Sequence, residues 1–162
     1  MPSSPRALLV RAALAAAVLV PAGLVSAQPA AAYTNAELEG YVVTFVNAER
    51  RKVGCANLRT DARLRTAARK HSWSMKTYDF FSHTSRDGRT PWDRMRNEGY
   101  AYPRAENIAA GQRRARDVVA AWMNSPGHRA NILDCRNKAV GVGLSRGRST
   151  YGYYWTQDFG SR

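Results

Sequence analysis

The stretch KAVGVGLSRGRSTYGYYWTQDFG (residues 138–160) decides the fold class. Two runs rich in Val, Tyr, Trp and Thr flank a Gly-containing turn, which is the pattern of a β-hairpin. Gly141 and Gly143 weaken the first strand unless something needs the room. They therefore predict a close backbone approach or a bulge. Tyr100–Ala101–Tyr102 reads as a third short strand. Upstream of these the pattern is helical. Thr34-Asn-Ala-Glu37 forms a capping box, followed by an apolar stripe of Leu38, Tyr41, Val42, Phe45 and Val46, and Gly54 closes the helix. Asp61 caps a second helix with Leu64, Ala67, Ala68, His71 and Met75 on one side. Thr90 caps a third, with Pro91 at its first position and Gly99 at its end. Asp117 caps a fourth, and Ser125-Pro126 starts a short fifth that runs to about Leu133. Helices first and strands last predict an α+β fold rather than alternating βαβ units.

The chain has 162 residues, of which the first thirty or so stand apart. Arg6 and Arg11 precede an Ala/Leu/Val run ending at Val20, and Val25-Ser26-Ala27 fits a signal-peptidase site. Residues 1–27 therefore read as a secretory leader, with cleavage as late as residue 32, ahead of one domain over residues 33–162. The apolar run from Ala12 to Val20 is shorter than the ~20 residues a spanning helix needs.

Lys and Arg number 25 against 12 Asp and Glu, a net charge of +13 that falls to +11 without Arg6 and Arg11. The basic residues are scattered, and no aromatic-studded basic strand stands out. Nucleic acid is not the expected partner. Anionic wall polymer or an anionic membrane surface fits better. Cys55 and Cys135 are an even pair in an exported chain, so a disulfide is expected, with two free thiols as the alternative. Across 80 positions, such a bridge contributes on the order of 4 kcal/mol.

Three histidines carry the candidate chemistry. His71 lies on the apolar side of a helix and reads as a core residue. His83 sits on a loop in DFFSHTSRDG, and loops on a rigid scaffold often carry function. His128 follows the Pro126-Gly127 break in NSPGHRANILDC. Between them, Glu106 precedes Ile108, Ala109 and Ala110, and a buried carboxylate there needs a partner. Two imidazoles and a carboxylate suit a divalent metal with positions left for water. They equally suit proton transfer, or a polar cluster with only a structural role. The amides of Asn107, Asn131 and Gln157 are expected to satisfy irregular buried backbone first.

FSHTSRDGRTPWDRM, AENIAAG, WMNSPGHRANIL, VGVG and YYWTQDFG, in that order, resemble the bacterial branch of the CAP superfamily (cysteine-rich secretory proteins, antigen 5, pathogenesis-related 1; the SCP domain). VNAER and DARLRTAARKHSWSM fit as well, so the resemblance runs from about residue 36 to 160. It implies a three-layer α-β-α sandwich with a central antiparallel sheet and a shallow cleft. Two histidines and two glutamates line that cleft in the family. His83 and His128 match the histidines, and Glu106 matches one glutamate. Ala105 stands where that motif usually has Gly, and Ser125 stands at the second glutamate position.

The expected function is that of a secreted binding module for a small apolar, glycan or metal ligand, with His83, Glu106, His128 and Ser125 as binding residues. His83, His128 and Glu106 would be the metal set, and zinc an optional ligand rather than a required cofactor. A hydrolase using Glu106, His83 and His128 is the alternative, without a convincing nucleophile, since neither Ser82 nor Ser125 sits in a G-x-S-x-G elbow. A third reading is a basic wall- or surface-interaction protein. A monomer is expected, touching lipid or membrane only at the surface.

Overall fold

The computed structural model describes residues 33–162, so the proposed leader lies outside the described residues. The elements run α1 (Asn35–Lys52), β1 (Arg59–Thr60), α2 (Ala62–Thr77), α3 (Pro91–Asn97), β2 (Pro103–Ala110), α4 (Ala115–Met123), α5 (Pro126–Leu133), β3 (Ala139–Arg146) and β4 (Tyr153–Gly160). The four strands form one sheet in the order β1-β3-β4-β2. The hairpin pairs β3 with β4 antiparallel, and β2 pairs antiparallel along the other side of β4. Only the two-residue β1 runs parallel to its neighbour, β3. Among the described residues no helix is long and apolar enough to cross a membrane.

Alternation along the strands sorts side chains into two layers. Val140, Val142, Leu144, Trp155 and Phe159 pack under α1 and α4 with Leu38, Val42, Val46, Val118 and Trp122. The opposite face carries Ile108 and Tyr154 against Met75 of α2. The α-β-α sandwich follows, with α2 and α3 on one side and α1, α4 and α5 on the other.

The two glycines of the first hairpin strand have a definite cause. A Cβ on Gly141 would lie 2.1 Å from the backbone of Leu64 and Arg65, and one on Gly143 would lie 2.3 Å from that of Ala68 and Arg69. Helix α2 presses its main chain directly onto β3. The small Ala67 and Ala68 make the same approach possible from the helix side.

Three local expectations need correction. The third strand is not Tyr100–Tyr102 but Pro103–Ala110. Tyr100 instead ends the α3 turn, its N–H bonded to Met95 O at 3.0 Å, with its ring buried against Gly160. Both faces of β2 are covered over Glu106–Ala109, so no in–out alternation marked it as a strand. The fourth helix begins earlier than Asp117, with Arg114 at its N-cap and no side-chain cap bond. Asp117 sits in its first turn and pairs with Arg114 Nε at 2.8 Å. Ser125 occupies the N-cap of α5 and His128 lies in the first turn of that helix, as expected, but the Ser125 hydroxyl makes no cap bond. The capping box at Thr34/Glu37 and the Thr90 cap form as expected, and Asp93 turns the latter into a second capping box, although Tyr41 of the α1 stripe faces solvent.

Cys55 and Cys135 are bonded, with Cα atoms 5.0 Å apart. Arg50 organises the backbone beside them. It is fully buried and donates to the carbonyls of Ala56, Ile132, Asp134 and Asn137. One side chain thus satisfies the carbonyls left open where α5 ends and the chain turns toward β3.

Candidate functional site

Edge strand β2 carries Glu106 on the face toward α2. The segment between α2 and α3 turns at Gly88, where φ is +84°, and brings His83 over that edge. His83 Nδ1 donates to Glu106 Oε1 at 2.7 Å. Arg94 of α3 passes beneath the loop and donates from Nη2 to Glu106 Oε2 at 2.5 Å. Its Nη1 serves His83 O at 2.8 Å and Ser85 Oγ at 3.0 Å. One guanidinium therefore fixes both the carboxylate and the loop that holds the imidazole, a charge-assisted arrangement.

A carboxylate only accepts, so the proton in this bond sits on His83 Nδ1, and Nε2 makes no hydrogen bond among the described residues. The His83 side chain is 48% exposed, whereas that of Glu106 is 1% exposed. Burial alone pushes the Glu106 carboxyl up, but the His83 hydrogen bond and the Arg94 charge outweigh it and hold the group below the ordinary Glu value.

Directly across the ladder from Glu106 stands Asp158 of β4. It is fully buried, and neither carboxyl oxygen has a hydrogen-bond partner among the described residues. Burial, then the Glu106 charge, raise its carboxyl well above the usual Asp value, against a smaller opposing effect of Arg94. Two carboxyls and one guanidinium balance when Glu106 is ionised and Asp158 keeps its proton. The pair thus titrates as a unit.

His71 of α2 completes the cluster from below. It is buried as expected, and its Nε2 donates to Ser82 O at 2.9 Å. Burial, opposed by Glu106 and reinforced by Arg94, lowers its pKa to about 4. The folded group thus titrates below its unfolded counterpart near 6.5. Its stabilising contribution is complete above that value and is lost as pH falls toward 4. On the order of 3 kcal/mol of stability should disappear across this window. Urea unfolding followed against pH checks it: wild type weakens over the window and His71→Gln shows a flatter profile.

His83 and Glu106 are joined directly. His128, half-buried on α5, lies near enough for the His83 charge to add to burial in lowering its pKa. Its ring makes no hydrogen bond among the described residues, and its carbonyl accepts from Asn107 Nδ2 at 3.2 Å. Ser125 lies three residues before it, partly buried. The amides act as scaffold: Asn107 also donates to Gln157 Oε1 at 3.1 Å, and Asn131 donates to Asn107 Oδ1 at 2.9 Å. They tie α5 to the sheet and so set where His128 stands.

Among the described residues no group of three or more His, Cys, Asp or Glu side chains is placed to hold a metal ion. Glu106 already spends both oxygens, one of them on a cation. It is suited to orienting His83, as carboxylates behind metal-binding imidazoles do. The donors left for an ion are His83 Nε2 and the His128 ring.

The model of the cysteine-rich secretory protein family, CAP, matches residues 43–159. The chain belongs to the CAP family. This CAP domain is 43% identical over 122 residues to YkwD of Bacillus subtilis, covering 75% of this chain and 46% of that protein. It is similar to an extracellular protein containing an SCP domain from Bacillus anthracis, with TM-score 0.71 and 28% identity, over 79% of this chain and 41% of that one. An outer surface protein of Borrelia burgdorferi shares the fold, with TM-score 0.69 and 23% identity, over 80% of this chain and 96% of that one. The chain spans less than half the length of YkwD and of the Bacillus anthracis protein.

Arg94 and Asp158 were not among the expected site residues of the CAP domain. Each did leave a trace. Arg94 is a charge flanked by Pro91 and Met95 on the buried side of a seven-residue helix, and Asp158 is an acid inside a strand buried at Tyr154–Gly160.

Proposed function

We propose that this CAP domain works outside the cell as a binding module whose cleft, at the β2 edge, receives its ligand on His83 and His128. The observation that carries the proposal is the Glu106 bond to His83 Nδ1, which fixes the ring and leaves Nε2 without a partner among the described residues, near a second imidazole whose own proton is weakly held. A zinc ion fits such a pair with water completing its shell. A glycan hydroxyl or another small polar group would use the same nitrogens. The extracellular setting draws on the leader-like N-terminus, on the disulfide, and on similarity to a protein named extracellular.

Binding is favoured over hydrolysis because no Ser, Thr or Cys side chain hydrogen-bonds to a histidine among the described residues. Ser82 Oγ accepts from Thr84 N–H at 3.1 Å, and both cysteines are in the disulfide. Isothermal titration with zinc tests the proposal. Wild type should give a saturable heat that His83→Ala and His128→Ala both abolish, and equal heats from all three proteins reject it. A role through net charge alone makes the opposite forecast. Retention on anionic polymer would then weaken steeply with salt and ignore both substitutions.

A further inference from the structure

A concavity of about 550 Å³ lies on the far side of the 78–90 loop, between α2 and α3. Neither His83, Glu106 nor His128 lines it. Its size falls within the range of small-molecule sites, and its walls are chemically specific. Trp73 and Tyr78 stand edge to face at 6.0 Å and are 53% and 51% exposed. Arg86 stacks over the Tyr78 ring at 4.6 Å. The rim alternates acid and base: Lys70 bonds Glu98 at 2.6 Å, and Arg89 bonds Asp87 at 2.6 Å.

The floor holds His71 and Arg94, both more than nine-tenths buried, and each keeps one polar atom with no partner among the described residues. The two atoms are complementary. Arg94 Nε–H is an unused donor. His71 gives its Nε2 proton to Ser82 O, so its Nδ1 is an unused acceptor. Neither atom is itself exposed to solvent.

We infer that this concavity is a carbohydrate subsite, separate from the His83 cleft, that takes a short, neutral or singly charged glycan with a ring laid against Trp73 and Tyr78. Amphipathic aromatic faces suit the apolar C–H face of a pyranose, and the paired acids and bases of the rim suit its hydroxyls. The charge balance excludes a polyanion as the preferred ligand. Lys70, Arg89 and Arg94 are each matched by an acid, which leaves Arg86 as the lining cation without one among the described residues. A single carboxylate on the glycan would find its partner there.

Titrating the purified protein with chitotriose, N-acetylmuramic acid, cellotriose and maltotriose, followed by tryptophan fluorescence and calorimetry, tests the inference. At least one sugar should bind saturably, with Trp73→Ala and Tyr78→Ala each weakening it by about tenfold or more. His83→Ala should leave that binding intact while removing any zinc heat, so the two sites fail independently. If an N-acetylmuramic acid arm binds, Arg86→Ala should weaken it more than any neutral-sugar arm. Absence of saturable binding across the panel overturns the subsite. So does sugar binding that survives both aromatic substitutions or is lost with His83→Ala.

Discussion

Gly141→Ala should leave no stably folded domain. The added methyl carbon would sit 2.1 Å from the carbonyl carbon of Leu64 and the amide nitrogen of Arg65. These are main-chain atoms in the first turns of α2, so no side chain can swing aside. Relief requires the helix to lift from the sheet, which undoes the burial of Leu64, Ala67, Ala68 and Met75 together. Ordinary overpacking costs about 1–3 kcal/mol. Displacing a whole helix should exceed the roughly 4–5 kcal/mol that marks exceptional single substitutions, a large share of the ~5–15 kcal/mol a domain has. Gly127→Ala is the control. It lies in α5 with nothing within 4 Å of its added carbon, and should be neutral or gain up to about 1 kcal/mol from helix propensity. Urea midpoints of the two variants decide the matter. Equal midpoints would mean that α2 does not bear on β3 as described.

Glu106→Ala and Asp158→Asn should move stability in opposite directions although the residues face each other across one ladder. Removing the Glu106 carboxylate leaves the Arg94 guanidinium buried without its counter-charge and His83 without its orienting acceptor. Breaking a buried pair from one side costs about 3–5 kcal/mol. Asp158 is the reverse case. Its folded carboxyl titrates above the ordinary value, so its contribution is complete at low pH and is lost as pH rises through the raised pKa. An asparagine has no proton to lose and can donate its amide to Glu106. Asp158→Asn should therefore match wild type in acid and surpass it increasingly toward alkaline pH. Glu106 titrates below its ordinary value, so the stability it supplies exists above that value and drains away as pH falls. Denaturant midpoints for the three proteins across pH check both signs. Parallel curves for wild type and Asp158→Asn would show that Asp158 ionises as freely folded as unfolded.

Much of this molecule was legible in local pattern. The capping boxes at Thr34 and Thr90, Pro91 at the start of α3, and the hairpin in residues 138–160 all formed where short-range chemistry places them. The glycines at 141 and 143 announced a close approach or a bulge, but neither which of the two nor which helix would be involved. The misses have separate causes. β2 carries no alternation because it is covered on both faces over Glu106–Ala109. Asp117 looked like a cap, but Arg114 took the N-cap position and left Asp117 to pair with it from the first turn.

The amino-acid order by itself determined the helix starts, the hairpin and a Cys pair available for bonding. It also determined, through motif order, the candidacy of His83, Glu106 and His128. Those properties depend on neighbours a few residues apart, or on residue type alone. Only the tertiary structure decided that Asp158 would lie against Glu106, and that Arg94 would become its counter-charge. It alone put His71 and Arg94 together in the lining of the concavity between α2 and α3. The sheet order β3-β4-β2 joins strands distant along the chain. The state of a buried charge is set by what long-range packing places within a few ångströms of it, which no local pattern encodes.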